Sequence, residues 1–147
     1  MEFIEILFWI SNISILPLWI LMIGFPTNDY TKKIVGNPLC LLPMLIAYSI
    51  AVIPIIPNLI MTFATQMPTP ELVIELFDDE NTRIIGWLHF IALDTLGGRW
   101  IWTRFQSQSA PLIKSAPILF LCMMAAPLGI LLGLMLTYEK TIENSTN

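Results

Sequence analysis

The stretch Trp87–Trp100, WLHFIALDTLGGRW, decides the fold. Its apolar residues run together without alternating, which is the pattern of a membrane helix and not of a barrel strand. Yet it holds the chain's only histidine, His89, together with Asp94, Arg99 and the pair Gly97–Gly98. In a span over 84–105, Asp94 is about ten residues from either end, near the middle of the bilayer. A central Asp or Arg costs roughly 2.5–3.5 kcal/mol on insertion scales. Such a residue is expected to face the inside of a bundle and to find a partner there. Asp94 is therefore expected to pair with Arg99 or with a donor on another helix. Five residues turn a regular helix by about 140°, so His89, Asp94 and Arg99 do not share a face unless Gly97 and Gly98 permit a kink or π-bulge. The glycines also leave room beside Asp94 for a ring, a lipid tail or a neighbouring helix.

The rest of the chain agrees with a membrane setting. Of its 147 residues, 56% are hydrophobic and only 12% charged, with a mean hydropathy of +0.74; soluble domains are nearer a quarter charged. Four apolar stretches, at about 3–25, 43–66, 84–105 and 116–138, each suffice to cross a bilayer. The expected fold is all-α: one transmembrane domain over 1–147, a four-helix bundle with a short amphipathic helix between spans two and three. The start, MEFIEILFWI, lacks a positive n-region and a small-residue cleavage site, so it is expected to be a first span and not a removable signal. Pro43, Pro54 and Pro57 are expected to bend the second span, and Pro17 and Pro127 the first and fourth.

Charge sets the expected orientation. Lys32 and Lys33 lie in the first loop, and Arg104 and Lys114 flank the third. The acids Glu71, Glu75, Asp78, Asp79 and Glu80 crowd the second. The positive-inside rule puts loops one and three in the cytoplasm or stroma and both termini on the opposite, non-cytoplasmic side. Within the second loop, Thr69, Pro70 and Glu71 start a short helix whose apolar residues gather on one side, as in a helix lying on a membrane surface. In the last stretch Ala125, Gly129 and Gly133 are four apart, a small-residue row that admits a second helix, expected from the same chain.

Several chemistries are excluded. No basic cluster exists, so nucleic acid is not a partner. No Walker, Rossmann or serine–histidine–acid pattern appears. One histidine and two scattered cysteines make neither a haem pair nor a zinc site, so no metal cluster or redox cofactor is expected.

The string GWLHFIALDTLGGRWIW, Gly86–Trp102, resembles the core motif of the abscisic-acid-deficient-4-like family. TPELVIEL before the third span and APLGILL in the last fit the same pattern. His89, Asp94, Gly98, Arg99 and Trp100 match the motif. Gly97 stands where many members carry a larger residue such as valine, which bears on the shape of any shared pocket. The resemblance implies an integral protein of a thylakoid, plastid or plasma membrane of an oxygenic phototroph, with a carotenoid as ligand, since the plant members are needed for neoxanthin formation from violaxanthin.

Two functions follow from that resemblance. The first is a pigment-associated accessory subunit of a larger photosynthetic complex such as a photosystem, surrounded by lipids. It would hold carotenoid and chlorophyll, with His89, Trp87, Trp100, Gly97 and Gly98 as pigment contacts. The alternative is a xanthophyll-isomerising, neoxanthin-synthase-like membrane enzyme. Epoxide opening to an allene needs an acid and a base beside an apolar slot but no redox partner, and Asp94 and Arg99 are then the catalytic residues. The two differ in what they require. A subunit needs its glycine row or motif helix against another chain, whereas an enzyme needs Asp94 and Arg99 lining a cleft open to lipid.

Overall fold

The computed structural model describes residues 2–145, with side chains as far as Tyr138. Every regular element among them is helical: α1 (Phe3–Gly24), α2 (Asp29–Gly36), α3 (Leu42–Val52), α4 (Ile56–Thr65), α5 (Pro70–Leu76), α6 (Glu80–Ser107), α7 (Leu112–Met124) and α8 (Ala126–Ser145). Local chemistry sets the ends. The Asn28 side chain accepts the Tyr30 amide at the start of α2, Thr69 accepts that of Leu72 in α5, and Asp79 that of Thr82 in α6. Short 3₁₀ turns at Pro38–Leu41 and Ile53–Ile55 lead into α3 and α4, and Pro54 forms part of the second. Two runs, Phe3–Gly24 and Pro38–Thr65, are long and apolar enough to cross a membrane.

α6 is the central post, and its neighbours can be placed against it by register. Trp87 meets Asn12, Gly98 faces the Trp19 ring, and Trp102 reaches the Pro26 carbonyl, so α1 runs parallel to α6. His89 meets Tyr48 while Arg99 meets Val35 and Gly36, so α3 runs antiparallel. At 28 residues α6 is about 42 Å long. It lies between α1 and α3, which belong to the two runs of spanning length. Met22, Met44, Leu88, Ile101 and Leu119 are fully buried among these elements. α4 leaves the bundle: none of its residues is buried.

The last apolar stretch departs from expectation. It is not one span over 116–138 but two helices broken at Ala125, whose φ of −155° and ψ of 76° interrupt the helix. A Cβ at Gly129 would lie against the Cys122 backbone, so α8 folds back sharply onto α7. Gly97 faces Ile130, Ile101 faces Gly133, and the Arg104 Nε–H donates to the Thr137 hydroxyl at 3.1 Å. α8 therefore descends parallel to α6, and α7 rises antiparallel to it. Thirteen residues give α7 a length of about 20 Å, short of a bilayer's hydrocarbon core. The pair is a helical hairpin with its vertex at the level of Asp94.

Two expectations change with it. In place of four clear spans there are two runs of spanning length, the long α6 beside them, and a hairpin of two helices. The described chain also ends where α6 ends, so its two described ends lie at opposite ends of the bundle. Pro127 explains the break: it has no amide to donate, so it suits the first turn of a new helix better than the interior of an old one.

Candidate functional site

The hairpin fills the space between α1 and α6 only as far up as Asp94. Above its vertex the walls stand apart and enclose a cleft of about 850 Å³. Leu16 and Trp19 of α1 form one wall, Trp87, Phe90 and Asp94 of α6 the other, and Met123–Pro127 the floor. Leu16, Phe90 and Leu93 are about half exposed at its rim, so the cleft opens sideways, toward lipid in a membrane. Its volume lies in the range of small-molecule sites, which are apolar with a few placed polar groups. The polar side chains here are Asn12 and Asp94, with the indole N–H of Trp87.

Asp94 has no hydrogen-bond or ion-pair partner among the described residues. The expected Asp94–Arg99 pair is absent because Arg99 is employed elsewhere. Its Nε–H donates to the Val35 carbonyl at 2.7 Å and an Nη2–H to the Gly36 carbonyl at 2.8 Å. These are the last carbonyls of α2, and a cation is at home at a helix C-terminus. Arg99 thus holds the first loop to the central helix. It is a structural clamp and does not line the cleft.

The glycine pair works differently from expectation. α6 is α-helical from end to end, with no π-bulge at Gly97–Gly98. The room at Gly98 is taken by Trp19 and that at Gly97 by Ile130, both from the chain itself. Gly98 is buried, and Gly97 is partly exposed. Gly129 and Gly133 are likewise packed against Cys122 and Ile101 of this chain, and Ala125 is the vertex of the hairpin rather than one rung of a continuous row.

Trp87 lines the cleft and its Nε1–H donates to Asn12 Oδ1 at 3.3 Å. Trp100 is on the outside, with the Arg104 guanidinium 5.6 Å from its ring centroid. His89 is on another side of α6, where its Nδ1 is 3.0 Å from the Tyr48 hydroxyl. No three His, Cys, Asp and Glu side chains among the described residues gather closely enough to hold a metal ion.

Asn12 and Tyr48 were not foreseen as site residues. The signal for Asn12 was present: the run Ser11–Asn12–Ile13–Ser14 interrupts an apolar span, and polar residues at membrane depth are expensive unless used. At the edge of the bundle, outside the spans, the Asp79 carboxyl is held below its ordinary value of 3.8 by the Thr82 amide and hydroxyl that donate to it.

The chain was compared with known proteins. A family profile described as ABA DEFICIENT 4-like matches residues 6–132. Protein ABA DEFICIENT 4, chloroplastic, of Arabidopsis thaliana is 24% identical over 127 residues, 84% of this chain and 56% of that protein. The chain thus spans little more than half the length of that relative. No solved structure matches it. The matched segment takes in the whole cleft, from Asn12 on α1 to Ile130 on α8, and by that match the chain belongs to the ABA DEFICIENT 4-like family.

Proposed function

We propose that this protein takes an oxygenated end ring of a xanthophyll from the lipid into the Asp94 cleft and isomerises it there. The observation that carries the reading is a carboxyl group, free of any partner among the described residues, on the wall of an apolar cleft that opens sideways. A mid-membrane carboxyl without a partner is a functional group by default. The kinship with a chloroplastic protein supports the setting in a plastid-type membrane.

Opening a ring epoxide to an allene is a net isomerisation. A proton leaves the adjacent vinyl carbon, the ring carbon–oxygen bond breaks, and the oxygen gains a proton. Asp94 performs both transfers in this reading, giving a proton to oxygen and taking one from carbon. Arg99 has no part in them. The test is Asp94→Asn, expressed in a bacterium engineered to make violaxanthin, with pigments separated by chromatography. Loss of the allenic product at unchanged protein level is expected. Undiminished product would end the reading.

A second reading has its own observations. α4 buries none of its residues, and His89, half held by Tyr48, keeps one ring nitrogen for another ligand. Both suit a pigment-associated subunit of a larger photosynthetic complex, with carotenoid or chlorophyll against these surfaces. Against it, the glycines of the last stretch are occupied from within. Mild-detergent purification from a native thylakoid or plasma membrane separates the two: stoichiometric photosystem subunits favour the second reading, and a free small protein the first.

A further inference from the structure

Asn12 has more hydrogen-bonding capacity than the protein uses. An amide side chain offers two donors and two lone pairs. One N–H of Asn12 donates to the Phe8 carbonyl at 2.7 Å, and Oδ1 accepts from Trp87 at 3.3 Å. One donor and one lone pair are left on a side chain that lines the cleft. The two bonds it does make fix the amide, so the spare pair is held in one place.

Spacing tells what that pair could meet. Trp87, which holds Asn12, is seven residues before Asp94 on α6, two turns and about 10 Å along one face. A six-membered ring with oxygens on opposite sides is about 5 Å from oxygen to oxygen. With an O–H···O length of about 2.8 Å at each end, it needs partners about 10 Å apart. Asp94 on the wall and the Asn12 amide held beside Trp87 thus stand about two helical turns apart along the cleft, a separation on the scale of one such ring.

We infer that Asn12 receives a ring hydroxyl of the ligand and so makes the cleft selective for hydroxylated over unsubstituted carotenoid rings, with Trp87 as the residue that positions the amide. This rests on the reading of the cleft given above. It is independent of which atom Asp94 protonates.

The probes are zeaxanthin and β-carotene, which differ only in the two ring hydroxyls. The purified full chain is loaded with an equimolar mixture in mild detergent, repurified, and its pigments are extracted and quantified. Wild type is expected to retain zeaxanthin over β-carotene by about fivefold, the worth of one neutral hydrogen bond. Asn12→Leu should bring the ratio to about one. Trp87→Phe, which keeps an aromatic ring but removes the indole N–H, should lower the ratio with folding unchanged by circular dichroism. The inference is overturned if wild type takes both pigments equally, or if both variants keep its preference; in either case the carotenoid cleft itself survives. If wild type takes neither pigment while folded, the proposed function falls and this inference with it.

Discussion

Gly98 is the tightest test of the packing around the cleft. A Cβ added there would run into the ring of Trp19, which is 3% exposed and held between α1 and α6 with little freedom to retreat. Overpacking a closed site costs about 1–3 kcal/mol, and a collision with a rigid indole belongs at the upper end. Alanine recovers about 1 kcal/mol of helix propensity over glycine. The expected net loss for Gly98→Ala is therefore about 2 kcal/mol, about thirtyfold in the folding equilibrium. Gly24, with nothing within 4 Å of its added Cβ, is the control, and Gly24→Ala should be neutral or slightly stabilising. Unfolding in mild detergent by added sodium dodecyl sulfate, followed by circular dichroism, reads both. Combining Gly98→Ala with Trp19→Phe should cost less than the two single changes together, because the smaller ring makes room. Trp19 also lines the cleft, so the single variant should bind less pigment. A Gly98→Ala protein as stable as wild type, with costs that simply add, would refute the register of α1 on α6.

Other predictions follow from the same geometry. A cysteine reporter placed after Tyr138 in a Cys40→Ser, Cys122→Ser background should react with impermeant maleimide from the same membrane side as one at Lys33; labelling from opposite sides would overturn the direction of α8 along α6. Arg99→Gln should loosen the first loop, with the loss of two charge-assisted hydrogen bonds worth about 1.5–3 kcal/mol each, seen as faster amide exchange in α2; exchange equal to wild type would show that the clamp carries nothing. The Asp79 cap is favoured in its charged form, so its contribution is complete above the ordinary carboxylate value of 3.8 and disappears as pH falls through the lowered one. Amide exchange at Thr82 should accelerate in that acid window and not between pH 5 and 8, and Asp79→Asn should flatten the change.

The helical class, the short α5 and the two apolar runs of spanning length were legible because apolar run length and cap residues act locally. The Thr69 and Asp79 caps are used as their residue types suggest. The hairpin was harder. MMAAPLG reads equally as a kinked span or as a stop and restart, and what decides is whether Gly129 lets α8 approach Cys122, a contact across the turn that spacing does not express. Asp94 was identifiable from its cost in lipid. Its partner was not, because Arg99 finds better acceptors in the Val35 and Gly36 carbonyls, which are far away in sequence. Asn12 was overlooked because a single amide among leucines and isoleucines gives a weak signal beside a charge.

The short first limb of the hairpin also bears on how the protein is made. Insertion into a bilayer proceeds by segments of about 20 apolar residues, and α7, with 13 residues, is not one. α7 and α8 are expected to enter as a pair, once the Ala125 turn has closed and α6 already offers the Gly97 and Ile101 surfaces on which α8 packs. The floor of the cleft is therefore laid last. A nascent chain paused before Leu112 is expected to have both walls of the cleft but no floor, and to gain the floor, with the side opening left, only when the final segment folds in beside them.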